Sequence, residues 1–513
     1  MKSGRTPARR RAVVLAALTA AAGLALYLAG VPENPPGFFV DESSIAYNAH
    51  LVATTGADEH GERWPLFFRA FGEYKSPVYV YLLAALFKLT GPSIGTARAL
   101  SAVLGVAAAL LTGLLAARAE RADGGDEADG GDNASAARAA GLGVACSALL
   151  TPWLFEVSRL VFEVALLPLA LALLLLAIRH ADARHGGWTR GDSVRVALGL
   201  ALVTYAYSVG RMLAPLLALG LVLFAPRGGW WRAPFRTWVF YVALLAPLVA
   251  FTLANPGALG ERFAQVSFIR PEMSWGEVVA RFAQNYAGSF SPWSWLVAGD
   301  PEPRHHLAVM GSMLLPTVLL AALGVVLVLR RRRTSAWWRF VLYGLAVSAV
   351  PSSLTQDHFH TLRLVALPVF LLLLAGPALG WLARRGGARH GLRRAALVAL
   401  LALTAAQGLA FQFLFHRAAG QRFHNFDAFY PEIFDAAAAR PERPVHLIDL
   451  PGAPGYVHAY WYATLRRVSA EEFVRLPVEE RPPPGALVVS TEVPCTRCRV
   501  LLHRGGFRVY VAE

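Results

Sequence analysis

The feature that most constrains this chain is an alternation: apolar runs long enough to cross a bilayer, separated by short knots of arginine. A membrane-crossing helix needs roughly 20 consecutive apolar residues, because each residue advances about 1.5 Å through a hydrocarbon layer about 30 Å thick. Runs of about that length occupy 12–30, 95–117, 139–155, 164–179, 195–209, 212–226, 237–254, 311–329, 340–354, 363–383 and 395–415. About eleven spans are therefore expected. Composition agrees, since 55% of the 513 residues are hydrophobic and 16% are charged, against roughly 25% charged in ordinary soluble domains. A soluble enzyme, a disordered tail and a disulfide scaffold are excluded. The net charge of +15 does not point to nucleic acid. Basic residues gathered between apolar runs are what orients a membrane protein, with the excess on the cytoplasmic side.

Those knots set a topology. They are Arg118/Arg121/Arg138, Arg179/Arg184/Arg190/Arg195, Arg227/Arg232/Arg236, Arg330–Arg333 with Arg339, and Arg384–Arg394. Placing all of them in the cytoplasm pairs the spans, with the N-terminus inside and the C-terminal segment outside. The first segment carries Lys2, Arg5, Arg9, Arg10 and Arg11, as a signal peptide would. The run behind it is long enough to span and more spans follow, so an uncleaved first helix is expected. Pro77 to Leu89 is apolar but stops at Gly91-Pro92, too short to cross. It is expected to lie flat on the outer surface, its tyrosines at headgroup depth.

The expected organisation is an all-α polytopic membrane domain over 1–415, with outer segments 31–94 and 255–310, followed by a small extracytoplasmic α/β domain over 416–513. Strand-like runs Val445–Leu450, Ala486–Ser490 and Arg508–Val511 support the last assignment. The Gly/Asp-rich stretch Asp123–Asn133 reads as a flexible linker.

Charged residues on the outer side carry the chemistry. Asp41-Glu42 precede an amphipathic run, Ile45 to Val52. Two acids there either cap that short helix or supply a general base for an acceptor hydroxyl. Glu156, Arg159 and Glu163 follow at spacings of three and four, which would set them along one helical face. Lys75, Arg159, Arg211 and Arg363 stand apart from the cytoplasmic knots. Snorkelling to headgroups explains any one of them; four beside acids at helix ends fit an anionic ligand such as a lipid phosphate. Cys495-Thr-Arg-Cys498 lacks the strand-to-helix start of a redox site and offers two thiols where zinc takes four ligands. A disulfide in an oxidising compartment is the expected state.

Several motifs match a known family. Phe39-Val-Asp41-Glu42-Ser-Ser-Ile-Ala-Tyr47 resembles the Asp-Glu-x-x-Tyr-Ala-x-x-Ala opening of the first outer loop in the protein O-mannosyltransferase and aminoarabinose-lipid A transferase superfamily, with Ile-Ala-Tyr slightly out of step. Glu73-Tyr-Lys75-Ser76-Pro77-Val-Tyr-Val-Tyr-Leu82 resembles its Lys-Pro-Pro-Leu-Tyr-Tyr-Trp-Leu, with Ser76 in place of the first proline. Ser158-Arg159-Leu160 through Glu163-Val-Ala-Leu-Leu167 is similar to Ser-Arg-Leu-x-x-x-Asp-x-x-Leu, with Glu163 where Asp is usual. Asn285-Tyr286 to Phe290-Ser-Pro292, Gly299-Asp300, Arg304-His305, and His360-Thr-Leu-Arg363 before Pro368 follow in order.

The resemblance covers about 1–415. It implies a GT-C fold whose site faces outward, a polyprenyl-phosphate sugar as donor, and a lipid, polysaccharide or protein hydroxyl as acceptor. Asp41 would be the general base, with Glu42 beside it. Lys75, Arg159 and Arg211 would stabilise the phosphate leaving group, and His360 and Arg363 would bind substrate. Glu163 would contact the acceptor or, with Asp41, hold a divalent ion. A bacterial cytoplasmic membrane is the expected location, with membrane lipids and no nucleic acid as partners. The competing reading is a transporter or flippase of a lipid-linked sugar, which would place ionisable residues or broken helices near mid-membrane.

Overall fold

The computed structural model describes residues 7–123, 130–184, 187–224, 232–385, 390–450, 452–491, 495 and 497–513. Lys2, Arg5, Arg227 and the middle of the Asp123–Asn133 stretch lie outside the described residues. Each of the eleven expected ranges contains helix. Among the described residues, four helices are long and apolar enough to cross a membrane: Ile94–Asp123, Glu163–Asp182, Ala366–Ala383 and His390–Arg417. A fifth candidate is Arg232–Leu244 with Ala246–Ala254, bent by 41° at a break beside Pro247, whose ring cannot accommodate an unbroken helical ladder. Several of the other ranges are shorter or interrupted. Gly210–Gly220 tightens into a 3₁₀ turn at Leu221–Phe224, and Ala336–Ser348 gives way to Val350–Ser353.

The chain divides into two compact units. One comprises 1–29, 101–158 and 163–415 and is helical. Its centre is Ala366–Ala383, a helix 89% buried within the protein. His390–Arg417 is equally apolar but only 22% buried, so its side chains suit lipid contact. Glycine sets the closest helix approach: a Cβ at Gly324 would fall 1.6 Å from the carbonyl oxygen of Leu374. Only a residue without a side chain lets those two backbones meet.

The other unit comprises 30–100, 159–162 and 416–513, so the 31–94 segment expected on the outer side and the C-terminal segment share one compact body. Helix Val40–Thr55 packs beside Pro77–Thr90. The latter has 14 residues, about 21 Å, short of a hydrocarbon layer about 30 Å thick. Between them runs a hairpin of β1 (Phe68–Ala70) and β2 (Glu73–Lys75). Its two-residue turn, Phe71-Gly72, has φ of 54° and 77°, the pair of positive angles that twisted two-residue hairpins need. The C-terminal part forms a mixed sheet of β3 (Val445–Ile448), β4 (Phe473–Arg475), β5 (Leu487–Thr491), β6 (Cys498–Arg504) and β7 (Phe507–Ala512), in the order β4-β3-β5-β7-β6. β3 is parallel to β4 and β5, while β7 runs antiparallel to β5 and β6. Cys495 and Cys498 are joined by a disulfide at the start of β6.

Helix Tyr456–Arg466 joins the sheet to Val40–Thr55. Trp461 stacks on Phe38 at 5.7 Å and on Phe87 at 6.0 Å between ring centres, fully shielded from solvent. Such aromatic pairs add about 0.5–1.5 kcal/mol beyond the area they bury.

Candidate active site

The site begins where the chain enters helix Val40–Thr55. The Phe39 N–H donates to Glu42 Oε2 at 2.9 Å, satisfying a donor that precedes the first turn. Both acids sit in that turn, where the helix dipole favours negative charge. Their environments differ. Glu42 is fully buried, whereas the Asp41 side chain is 26% exposed and paired with Lys75. Lys75 also pairs with Glu73, two residues earlier on β2.

Glu42 is held from three directions. Arg98 donates to both of its oxygens, at 3.1 and 2.8 Å, and the Val161 N–H reaches Oε1 at 3.0 Å. The remaining Arg98 donors take the carbonyls of Pro32, Pro35 and Gly37 at 2.7, 2.5 and 2.8 Å. One guanidinium thus anchors the strand leading to the helix, the helix itself and, through Glu42, the 159–162 segment. With its carboxylate enclosed in this way, Glu42 has no route to an acceptor hydroxyl. Of the two expected acids, Glu42 is thus the one fixed in place by its contacts, and Asp41 is the more exposed.

Arg159 corrects a second expectation. The helix Pro152–Val157 ends before it, and the next helical turn begins only at Glu163. The spacing of three and four therefore does not produce a common helical face. Arg159 is buried and donates through Nε to the Asn34 carbonyl at 3.0 Å, with a second bond from its NH2. Arg422 donates to Asn34 Oδ1 at 3.2 Å, and Asn34 Nδ2 lies 3.4 Å from His416 Nδ1. Burial, reinforced by the charges of Arg98 and Arg422, pushes the Arg159 guanidinium down to about 9. One compact unit therefore holds Asp41, Lys75 and the three guanidiniums of Arg98, Arg159 and Arg422, the first and last of which repel the Arg159 charge. Arg98, Asn34 and Arg422 were not singled out in the sequence. Arg98 looks there like one basic residue at the mouth of an apolar run.

The other expected residues belong to the helical unit. Glu163 opens a 3₁₀ turn and is buried. Arg211 lies in the first turn of Gly210–Gly220. Arg363 pairs with Asp357 and donates to Thr355 Oγ1 at 2.9 Å. Glu156 pairs with the His306 Nδ1 at 2.7 Å and accepts the Leu307 N–H at 2.6 Å. Asp41 and Glu163, the expected pair for a divalent ion, thus fall in different compact units.

Another group stands within the helical unit. Asp300, His305 and His360 bring one ligand-type atom each to within 4.8 Å of one another. Burial alone would raise the Asp300 carboxyl, but the His305 and His360 rings and the Glu302 N–H outweigh it and hold it well below the usual range. Burial, then Arg363 and His305, push the His360 imidazole down to about 3, so it is neutral.

No protein-family model and no curated protein sequence matches this chain. Solved structures do. ArnT from Cupriavidus metallidurans bound to undecaprenyl phosphate superposes with a TM-score of 0.62 at 14% identity, over 96% of this chain and 97% of that one. The same protein in the apo state gives 0.59 at 16% identity, over 98% of both. The archaeal oligosaccharyltransferase AglB from Archaeoglobus fulgidus, in complex with an inhibitory peptide and a dolichol-phosphate, gives 0.49 at 12% identity, over 90% of this chain and 64% of that one. The chain has the fold of ArnT over nearly its whole length.

Proposed function

We propose that this chain is an integral membrane glycosyltransferase. It moves a sugar from a polyprenyl-phosphate donor to a hydroxyl of a lipid, polysaccharide or protein acceptor, on the outer face of a bacterial cytoplasmic membrane and with inversion. The observation that carries the reading is the division between Asp41 and Glu42. A rigid, buried Glu42–Arg98 pair fixes the helix start, and the neighbouring carboxylate stays accessible beside Lys75. The likeness to an ArnT structure bound to undecaprenyl phosphate supports the donor class.

In this mechanism Asp41 accepts the proton of the acceptor hydroxyl, and the oxygen attacks the anomeric carbon. The bond from that carbon to the phosphate oxygen breaks, and polyprenyl phosphate leaves. Lys75 exchanges its carboxylate partner for a phosphate oxygen, which releases Asp41 to act as base. Arg159, held on the Asn34 carbonyl in the same compact unit as Asp41 and Lys75, adds electrostatic stabilisation of the departing phosphate, a kind of term often among the largest in catalysis. Glu163 and Arg363 serve substrate binding. Eleven crossings with the N-terminus inside complete the proposed topology.

The test is sugar transfer in proteoliposomes from a panel of radiolabelled polyprenyl-phosphate sugars, comparing wild type with Asp41→Asn. Transfer that falls by about 10²–10⁴-fold in a well-folded variant supports the base assignment. Full activity in the variant removes Asp41 from that role. Translocation of the lipid without transfer supports a flippase instead.

A further inference from the structure

We propose that Asp300, His305 and His360, all within the helical unit, form a divalent-cation site of the zinc type. His305 Nδ1 lies 3.4 Å from Asp300 Oδ2, and His360 Nδ1 lies 4.0 Å from the same oxygen. A tetrahedral ion with ligand distances near 2.0–2.2 Å needs its ligand atoms about 3.3 Å apart. The three ligand atoms lie within 4.8 Å of one another, so the His360 ring has to turn inward to close on an ion.

The polar bookkeeping around the three residues supports this. Both Nδ1 atoms are shut from solvent, and among the described residues the His360 Nδ1 makes no hydrogen bond while the His305 Nδ1 has only its long 3.4 Å contact with Asp300. Buried ring nitrogens of this kind normally have a partner. Asp300, by contrast, is firmly oriented. Thr361 donates to Oδ2 through its N–H at 2.7 Å and its hydroxyl at 2.8 Å, while the Glu302 N–H reaches Oδ1 at 3.0 Å. A carboxylate has about four acceptor directions; these donors take both on Oδ2 and one on Oδ1, so the direction left for an ion is on Oδ1. Metal-binding carboxylates are commonly held by such outer donors. The His305 and His360 side chains are 10% and 14% exposed, so the group is enclosed but lies close to solvent.

Two imidazoles and one carboxylate favour zinc or a similar borderline ion over magnesium or calcium, which take mostly oxygen. The ion would clasp the 255–310 segment to the turn that carries His360. His360 then acts as a ligand, in place of the direct substrate contact expected from the resemblance. The metal-free alternative is a plain Asp–His hydrogen-bonded cluster.

The experiment is metal analysis of tag-free, full-length protein in detergent after dialysis, followed by titration with zinc and then cobalt. Stoichiometric zinc is expected in wild type and in His424→Ala, with affinity reduced at least about tenfold in His305→Gln and His360→Gln. Wild type alone, loaded with cobalt, should show the visible ligand-field bands of a four-coordinate N/O site. A wild type that takes up neither metal overturns the proposal, as does a cobalt spectrum unchanged in both glutamine variants.

Discussion

Arg98 and Glu42, 56 positions apart, meet in a two-pronged ion pair with neither side chain exposed. A pair so enclosed contributes geometry more than net stability, because removing two charges from water offsets much of their attraction. Losing one partner is different, since it strands the other charge. Arg98→Ala is therefore expected to destabilise the protein by about 3–5 kcal/mol, whereas Asp41→Asn should leave unfolding nearly unchanged. Thermal unfolding in detergent separates the two. An Arg98→Ala chain that melts with wild type would remove the pair from its positioning role.

Lys75 makes a separate prediction. It bridges Asp41 and Glu73, and its strand is set by the tight turn at Phe71-Gly72. Lys75→Met should lower transfer by about 10²–10³-fold, as loss of one preorganised donor to a developing anion does. Lys75→Arg should recover part of the rate by keeping the charge. Steady-state kinetics with the donor varied would check this, and equal rates for the two variants would exclude an electrostatic role.

The helical framework was legible because bilayer thickness dictates run length, and every expected range holds helix. The number of crossings was less so, since Pro247 and Pro351 divide runs that look continuous by composition. At the site, Asp41 and Lys75 stood out as charges beside apolar segments. Arg98 did not, because its partners are carbonyls of a proline-rich strand that no side-chain pattern announces. Arg159 was assigned to the wrong neighbours because helical spacing holds only while the helix continues, and this one stops at Val157. Strand β6 was missed as well, since most of its residues are exposed and it carries little alternation to read.

The C-terminal segment bears on helix Val40–Thr55 through a polar contact. Ser43 Oγ lies 2.8 Å from His458 Nδ1, and His458 Nε2 lies 3.1 Å from Asp427 Oδ2. His458→Ala should cost about 1–3 kcal/mol, since Ser43 and Asp427 would each lose a buried partner. Ser43 directly follows the two acids, so transfer activity should fall along with stability. Denaturant unfolding and a transfer assay on the same preparation would decide it, and a variant unchanged in both would show that the contact is incidental.

Asp449 supplies a pH dependence. Its carboxylate accepts the Tyr456 N–H at 2.8 Å at the start of helix Tyr456–Arg466. Burial raises its pKa to about 6, against the lowering effects of Tyr456 and Gly455 N–H groups, Arg475 and His458. The folded state thus holds a proton that the unfolded chain releases near pH 4. Where the native state binds more protons, stability falls as pH rises. The loss should accumulate between about pH 4 and 6 and approach about 3 kcal/mol, an upper bound set by a shift of about two units. Asp449→Asn, which keeps an acceptor for the Tyr456 N–H but does not titrate, should flatten that decline. Denaturant unfolding of wild type and variant across pH 4 to 8 measures the difference, and parallel curves would show that Asp449 does not set the slope.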